Sequence, residues 1–581
     1  MNELHEKFKQ IISYLNENDI CKKNCNDIKI IDGGASKKKL YLFNVDNVKY
    51  LLIDFSLSDE NAEHFYNLTL NYPTNKFYFP KAYYHKDNYV ITEYVNNSLT
   101  LENFFNQTIK YKLIDDILYK CVDWIIEFQN YNPNDIVSAK LSSTQQNYQI
   151  SLNNLRDFIN LANTHYTNDY ETEISNLLDS LYCDSKIKMT HNDFHFGNIM
   201  IDETNELKII DYHDCGFNTE HYDIVAFLFH PKKYFSLNVK ENLIKYYYEK
   251  SNVCNLRGEN FDDFKTNICK TAFMRLTRSL LLRFKNLKEN INNLKYIIEL
   301  RRGLNELKIL EPYVNIYIAD KLSKQLPNND LINVVLCAGK GTRMNTELPK
   351  CAEKILNKPM IEYISDIINM SASEKNIYVV GYKKEIIINI INKCSSSNDV
   401  FVNQEIQLGT GHAMIQTIDE LPDNKTIIVI MGDMPVLTFN SLLFILEQHA
   451  KSNAVTSAIT SVLQIKNSSG KVLRNSDGSF NKIIDCADID KLYSNEEAIK
   501  IKMIKEVHTG MYVFNSTYLK KYLLKLNCSN AQNEYYLTDI LELQKKDNLI
   551  VNCIKISHAC EPTGANTREE LFLIEKHFSS I

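Results

Sequence analysis

The chain has 581 residues, 44% apolar and 24% charged side chains and a formal net charge of −6, ordinary values for globular protein at a length that predicts more than one domain. Its pI of about 6.2 gives no basic footprint for a nucleic-acid polymer. No apolar run reaches the ~18 residues of a membrane span, residues 1–7 are polar where a secretory leader is apolar, and the 14 cysteines include no CxxC pair, so a cytoplasmic protein with reduced thiols and no membrane partner is expected.

Short β-type runs at 28–31, 40–43, 50–53 and 89–91, split by turn residues, predict a strand-rich start after an amphipathic first helix. From 99 to about 310 apolar residues recur at helical spacing, with one interruption at 187–215. The stretch 321–330 (KLSKQLPNND) is polar, holds Pro327 and has no periodicity. It predicts a linker and divides the chain into units 1–322 and 331–581, with 323–330 between them. Beyond it, strands at 334–336, 377–380 and 427–431 alternate with helices near 360–368 and 384–393. That alternation predicts a parallel, doubly wound α/β sheet.

Within the interruption, His191-Asn192-Asp193-Phe194-His195-Phe196-Gly197-Asn198 fits H-x-D-x-x-x-x-N, and Asp211 follows Asn198 by thirteen residues in a strand-like Ile209-Ile210-Asp211. Phosphoryl transfer to a hydroxyl needs a carboxylate for the hydroxyl proton, oxygen ligands for Mg²⁺ and a loop over the phosphates. Asp193 suits the first role; Asn198 and Asp211, hard oxygen donors, suit the second. The competing reading makes Asp193 and Asn198 turn caps and His191 and His195 satisfied core histidines. These residues resemble the aminoglycoside-phosphotransferase and choline-kinase family, over roughly 25–310. The resemblance implies a kinase-like α+β fold, Asp193 as catalytic base and Asn198 and Asp211 as Mg²⁺ ligands. It also implies Gly33, Gly34 and Ser36 in the ATP loop, and Glu93 and Val95 in the segment meeting adenine. The third strand, 50–54, lacks the lysine expected there, and Lys49 is out of register, which leaves the cation on the phosphates unassigned.

The second constellation begins at Leu336-Cys337-Ala338-Gly339-Lys340-Gly341-Thr342-Arg343-Met344, fed by an apolar run and followed by Leu348-Pro349-Lys350. Glycine lets backbone N–H groups approach phosphate oxygens, and Arg343 and Lys350 add fixed positive charge for attack at phosphorus. It is not the Walker loop. Asp433 follows the apolar strand 427–431 at the sheet edge where such folds place ligands, and suits one Mg²⁺ whose remaining positions phosphates fill. Gln404 offers the donor and acceptor that a pyrimidine edge requires.

From 331 to 581 the chain resembles the uridylyltransferase domain of bacterial N-acetylglucosamine-1-phosphate uridylyltransferase, an α/β Rossmann-like nucleotidyltransferase fold. The resemblance rests on the opening loop and on the blocks 404–413 (QEIQLGTGHA), 431–435 (MGDMP), 506–510 (EVHTG), 530–539 (NAQNEYYLTD) and 564–566 (GAN). It implies Asn566 as second Mg²⁺ ligand, a UTP site from Ala338, Gly339, Gly341, Thr342, Gln404, Gly409 and Thr410, and Arg343 and Lys350 neutralising the α-phosphate. Gly470, Asp485, His508, Glu534 and Thr538 fall where that family holds the sugar. His508 stands where Asn is usual and Asp485 where Glu is usual; His508 reads either as a sugar contact or as a ring bonded to backbone. The family's acetyltransferase β-helix is expected to be absent, and its trimerising role with it.

Joined, the halves predict a bifunctional salvage enzyme with Mg²⁺ at both sites. ATP phosphorylates a free N-acetylhexosamine, N-acetylglucosamine foremost, at carbon 1, and UTP then gives the UDP-sugar and pyrophosphate. One alternative is a choline kinase joined to a cytidylyltransferase making CDP-choline, which the block 404–413 opposes. Another is a pseudokinase regulating an active transferase, which the intact Asp193, Asn198 and Asp211 oppose.

Overall fold

The computed structural model describes residues 26–31, 39–45, 48–54, 82–86, 89–94, 98–101, 111–130, 137–162, 168–182, 187–211, 215–230, 235, 237–251, 259–327, 330–344, 346–394, 398–462, 469–556 and 564–580. The expected first helix and the expectations for Gly33, Gly34, Ser36 and Val95 fall outside them.

Five antiparallel strands open the chain: β1 (Asn26–Ile31), β2 (Lys39–Val45), β3 (Val48–Asp54), β4 (Ala82–Lys86) and β5 (Tyr89–Glu93), ordered β1-β2-β3-β5-β4. Along β2, Tyr41 and Phe43 are buried while Leu40 and Leu42 are half-buried, the two-residue period of a strand with one face on the core. Phe43 faces Tyr50 across the ladder, their rings stacked at 5.6 Å.

The expected helical region follows. Helices Tyr111–Gln129, Val137–Leu161, Asn168–Leu181, Leu237–Lys250, Phe261–Lys285 and Leu294–Leu310 enclose one core. The interruption is two small sheets. With β6 (Ser98–Thr100), β7 (Ile187–Thr190), β8 (Ile199–Asp202), β9 (Leu207–Ile209) and β10 (Gly216–Thr219), β7 pairs with β10, and the β8–β9 hairpin pairs with β6. The loop 191–198 therefore crosses from one sheet to the other. Leu322 and Leu326, at the expected linker, pack into this same core.

The second unit is one mixed sheet. Beyond β11 (Leu331–Leu336) and a short ladder of β12 (Lys354–Ile355) with β13 (Lys358–Pro359) come β14 (Lys375–Val380), β15 (Asp399–Asn403), β16 (Thr426–Met431), β17 (Thr456–Val462), β18 (Lys471–Arg474), β19 (Phe480–Ile484), β20 (Glu506–Asn515) and β21 (Val551–Ile556). The main order is β15-β14-β11-β16-β20-β17-β21, with β18 joining β19 and β20. The expectation of a parallel sheet is corrected: β15, β14, β11 and β16 run parallel, but β20 is antiparallel to both β16 and β17. Strand–helix alternation sets direction only where a crossover helix returns the chain, and the β18–β19 hairpin interposes before β20.

Every residue of β11 is buried, because both faces are covered. Leu331 and Val335 face the helices Met360–Asn369 and Phe439–Ser452; Ile332, Val334 and Leu336 face Ser516–Leu523 and Asp539–Lys546. Each such buried aliphatic side chain contributes about 1.5–3 kcal/mol. Between the units, Ile298, Ala372 and Leu443 share a small buried cluster, and the Arg302 guanidinium lies 5.7 Å from the Phe439 ring. Among the described residues no helix is long and apolar enough to cross a membrane, and the cysteines are free thiols.

Candidate functional sites

Leaving β7, the chain alternates as it crosses the core surface. Phe194 and Phe196 turn inward: Phe194 stacks on Trp124 at 5.0 Å and Phe196 on Phe227 at 5.1 Å. Asp193 and His195 alternate with them, half-buried. The loop is held from below by Asp223, on the short helix Tyr222–Leu228. Its carboxylate accepts the backbone N–H of His191 at 2.7 Å and of Asn192 at 3.0 Å. Burial pushes Asp223 up to about 7 despite those two bonds.

Asp193 Oδ2 accepts from Asn198 Nδ2 at 3.0 Å and lies 3.3 Å from His195 Nε2. His195 Nδ1 accepts from the Gly197 N–H at 3.0 Å, so in the neutral ring the proton sits on Nε2, toward Asp193. Asp193 Oδ1 is 3.9 Å from Arg275 Nη2. Burial works against the charged form, but His195 and Arg275 outweigh it and hold Asp193 well below the usual carboxylate range. Such a carboxylate orients a hydroxyl and receives its proton late in the transfer. Asn198 Nδ2 also donates to Asp193 O at 3.1 Å, so its carbonyl oxygen is the atom it can offer a metal. Ile210 N donates to Asn198 O at 2.9 Å across the β8–β9 hairpin, which sets Asp211, at a φ of 65°, beside it. Two hard oxygens on one hairpin end fit Mg²⁺. Glu93 ends β5.

In the second unit β11 and β16 end in register, Leu336 opposite Met431. They deliver the loop 337–344 and Asp433 to one sheet edge. Lys350 Nζ ion-pairs with Asp433 Oδ2 and donates to Asn566 Oδ1 at 2.7 Å, and Arg343 Nη2 donates to the same oxygen at 3.2 Å. Asn566 is fixed in turn by its N–H to Glu570 Oε2, 2.7 Å. Asp433, 8% exposed, packs so closely on Gly564 that a Cβ there would lie 2.7 Å from Oδ2. Gly341 has a φ of 67°, and a Cβ would lie 2.5 Å from Lys350 Cβ, so glycine here sets where the lysine stands. Among the described residues, and beyond Gly339 and its two chain neighbours, nothing lies within 4 Å of a Cβ built at Gly339. Asp433 Oδ2 and Asn566 Oδ1 converge on one ammonium, a donor pair that fits Mg²⁺ with phosphates completing its shell. Among the described residues, no group of three or more His, Cys, Asp or Glu could hold a metal by itself.

Ala338 is buried and Thr342 opens a short 3-10 turn beside the loop. Gln404 is 3% exposed; its Nε2 donates to Gly409 O at 3.2 Å and lies 3.0 Å from His412 Nδ1, which turns its oxygen to any ligand. Gly409, at a φ of 100°, leaves no room for a side chain against Tyr535 O, and Leu537 N donates to Thr410 Oγ1 at 3.2 Å. The blocks 404–413 and 530–539 thus clasp each other. Burial raises Asp485 and Glu534, with Asp488 and then Arg343 acting on the former and Asp485 on the latter, so these carboxyls share one field. Thr538 precedes the helix Asp539–Lys546, and Gly470 O accepts the His508 N–H at 2.9 Å. Of the two readings of His508, the structure shows the ring bonded to backbone. Gly510 N donates to Nδ1 at 3.2 Å, Nε2 lies 3.4 Å from Met511 O, and the ring packs 4.6 Å from Tyr512. Burial lowers it to about 4.

Residues 333–465 match the MobA-like NTP transferase domain. The C-terminal half matches a nucleotidyltransferase domain. Two similar curated proteins, each named bifunctional protein GlmU, come from Thermoanaerobacter pseudethanolicus (34% identical over 246 residues, 42% of this chain and 51% of that protein) and Carboxydothermus hydrogenoformans (32% over 243 residues, 42% and 52%). The chain spans about half the length of the curated relatives it matches. A solved structure of a putative glucose-1-phosphate thymidylyltransferase from Bacillus anthracis, in complex with a sucrose, aligns at 16% identity and a TM-score of 0.35, covering 43% of this chain and 96% of that one.

The structure thus gathers Arg343, Lys350, Asp433 and Asn566, and separately Asp193, Asn198 and Asp211. Sequence reading missed Asp223, Arg275, His412 and Glu570. His412 sat inside the block 404–413. Asp223 gave no local signal, since it acts on residues about thirty positions away, and the contact of Arg275 lies about eighty positions away.

Proposed function

We propose that the chain couples two phosphate-group transfers: the first unit phosphorylates a free N-acetylhexosamine at its anomeric hydroxyl with ATP, and the second exchanges that sugar 1-phosphate with UTP to form the UDP-N-acetylhexosamine and pyrophosphate. The observation that carries the second step is the meeting of Lys350, Arg343, Asp433 and Asn566 at the C-terminal edge of β11 and β16. Lys350 and Arg343 bind the triphosphate and offset the charge that grows on its α-phosphate as the sugar phosphate oxygen attacks and pyrophosphate departs. Gly339 and Gly341 let backbone N–H groups close on the phosphates. Asp433 and Asn566 would hold Mg²⁺, which when bound adds further positive charge at the phosphates. Gln404 presents an acceptor to a pyrimidine N–H.

The first step is supported by the geometry around Asp193. Its Oδ2 is bonded by Asn198 and faces His195, which leaves Oδ1 for the sugar hydroxyl. Covalent joining keeps the intermediate near its next user.

Reciprocal variants test the pair. Asp193→Ala should abolish ATP-dependent sugar phosphorylation and leave UDP-sugar formation from added 1-phosphate intact; Asp433→Ala should do the reverse. A wild-type protein that consumes no ATP with any amino sugar, or an Asp193→Ala protein that retains more than about a tenth of the kinase rate, overturns the first step. An Asp433→Ala protein that still makes UDP-sugar at the wild-type rate overturns the second.

A further inference from the structure

Arg275 is a buried cation that the roles above leave unexplained. It projects from the helix Phe261–Lys285 and is 9% exposed. Its Nη2 is 3.9 Å from Asp193 Oδ1, an ion pair too long for a hydrogen bond. The guanidinium lies 5.7 Å from the Tyr222 ring, which braces it, and among the described residues its buried Nε has no hydrogen-bond partner. Its charge bears on the carboxyls of Asp193 and Asp223, yet its Nε–H is left as a buried donor that an anionic ligand can compensate. It helps His195 keep Asp193 charged, but the hydrogen bonds to that carboxylate come from Asn198 and His195 on the other oxygen, so Asp193 does not take up the guanidinium's own donors. The N–H donors stand instead on the Oδ1 side, where the acceptor hydroxyl and the incoming phosphorus must meet.

We propose that Arg275 is a catalytic residue of the phosphorylation step, its guanidinium holding the phosphoryl group as that group passes from the nucleoside triphosphate to the sugar hydroxyl. The assignment rests on the kinase reading of Asp193, Asn198 and Asp211. In the step, the hydroxyl oxygen forms a bond to the γ-phosphorus. The bond from that phosphorus to the β–γ bridging oxygen breaks, and its electron pair leaves with the nucleoside diphosphate. The hydroxyl proton passes to Asp193 and on to solvent. Negative charge spreads over the three outer phosphoryl oxygens, which a planar fork of N–H donors matches. Arg275 also supplies positive charge that β3 does not: Lys49 on that strand is exposed, its Nζ 5.8 Å from the Tyr94 ring.

The test compares wild type, Arg275→Ala and Arg275→Lys as full-length proteins, with ATP and N-acetylglucosamine, N-acetylgalactosamine and glucosamine as probes. Arg275→Ala should lose about 10²–10³-fold in kcat for sugar phosphorylation with little change in the sugar KM. Added methylguanidine should restore at least ten-fold of that loss, and Arg275→Lys should fall between. UDP-sugar formation from added sugar 1-phosphate should be unchanged in all three. Wild type that phosphorylates none of the probes sinks the kinase reading and this assignment with it. Active wild type with an Arg275→Ala kcat within three-fold of it sinks this assignment alone. Equal loss in both variants, no methylguanidine rescue and a lowered melting temperature assign Arg275 to structure and equally overturn it.

Discussion

Replacing His508 with asparagine should flatten the acid sensitivity of the second unit. Buried in β20, the ring is held neutral: Gly510 N–H points at Nδ1, so a proton there would meet another N–H, and burial lowers its pKa from the ordinary 6.5 to about 4. The folded state thus binds fewer protons than the unfolded chain between those values. The stabilisation is complete above pH 6.5 and is lost as pH falls toward 4, by about 1.4 kcal/mol per unit. Between pH 7.5 and 4.5 this one residue should cost wild type roughly 2–3 kcal/mol. His449, lowered to about 4 by burial as well, adds a parallel loss that both proteins share. Urea unfolding at a series of pH values, read by hydrogen exchange of the β20 amides, gives the difference directly. The His508→Asn variant starts less stable, and the gap should close by that amount on acidification. A gap constant to within about 0.5 kcal/mol across the range would refute the account of His508 as a buried neutral ring.

Three more outcomes follow from contacts already described. Lys350→Ala, which strips the shared cation from Asp433 and Asn566, should lower nucleotidyl transfer by about 10²–10³-fold while ATP-dependent sugar phosphorylation, assayed in the same sample, stays level. Phe194→Ala removes a fully buried ring packed on Trp124 and Phe227 and should cost about 3–5 kcal/mol, seen in calorimetry as a lower first-unit transition beside an unmoved second. Asp223→Ala orphans the His191 and Asn192 N–H groups; each buried unpaired donor costs about 1–3 kcal/mol, and kinase activity should fall with stability while the transferase holds.

What the sequence disclosed was whatever chemistry lies contiguous along it. The run 331–336 announced a buried strand, Gly339 and Gly341 after it announced a glycine loop at the strand's end, and Asp433 could be placed because it closely follows β16. The H-x-D-x-x-x-x-N spacing brought Asp193 and Asn198 together because five residues span one tight turn. Strand direction past Thr456 was not legible, since the β18–β19 hairpin reverses the chain ahead of β20. Asp223 and Arg275 were hidden for a different reason. Helical periodicity marks such positions as inward-facing without saying which loop they will meet. His508 was undecided because the sequence does not show which backbone groups its ring meets, here Gly510 N and Met511 O.

Trp124 is the chain's single indole, and it lies flat against Phe194, the residue next to Asp193. The protein therefore carries its own optical gauge, set against one of its two candidate sites. Emission excited at the indole band should register shifts of the 191–198 segment, so a titration with ATP reads out binding at that candidate site without any attached label.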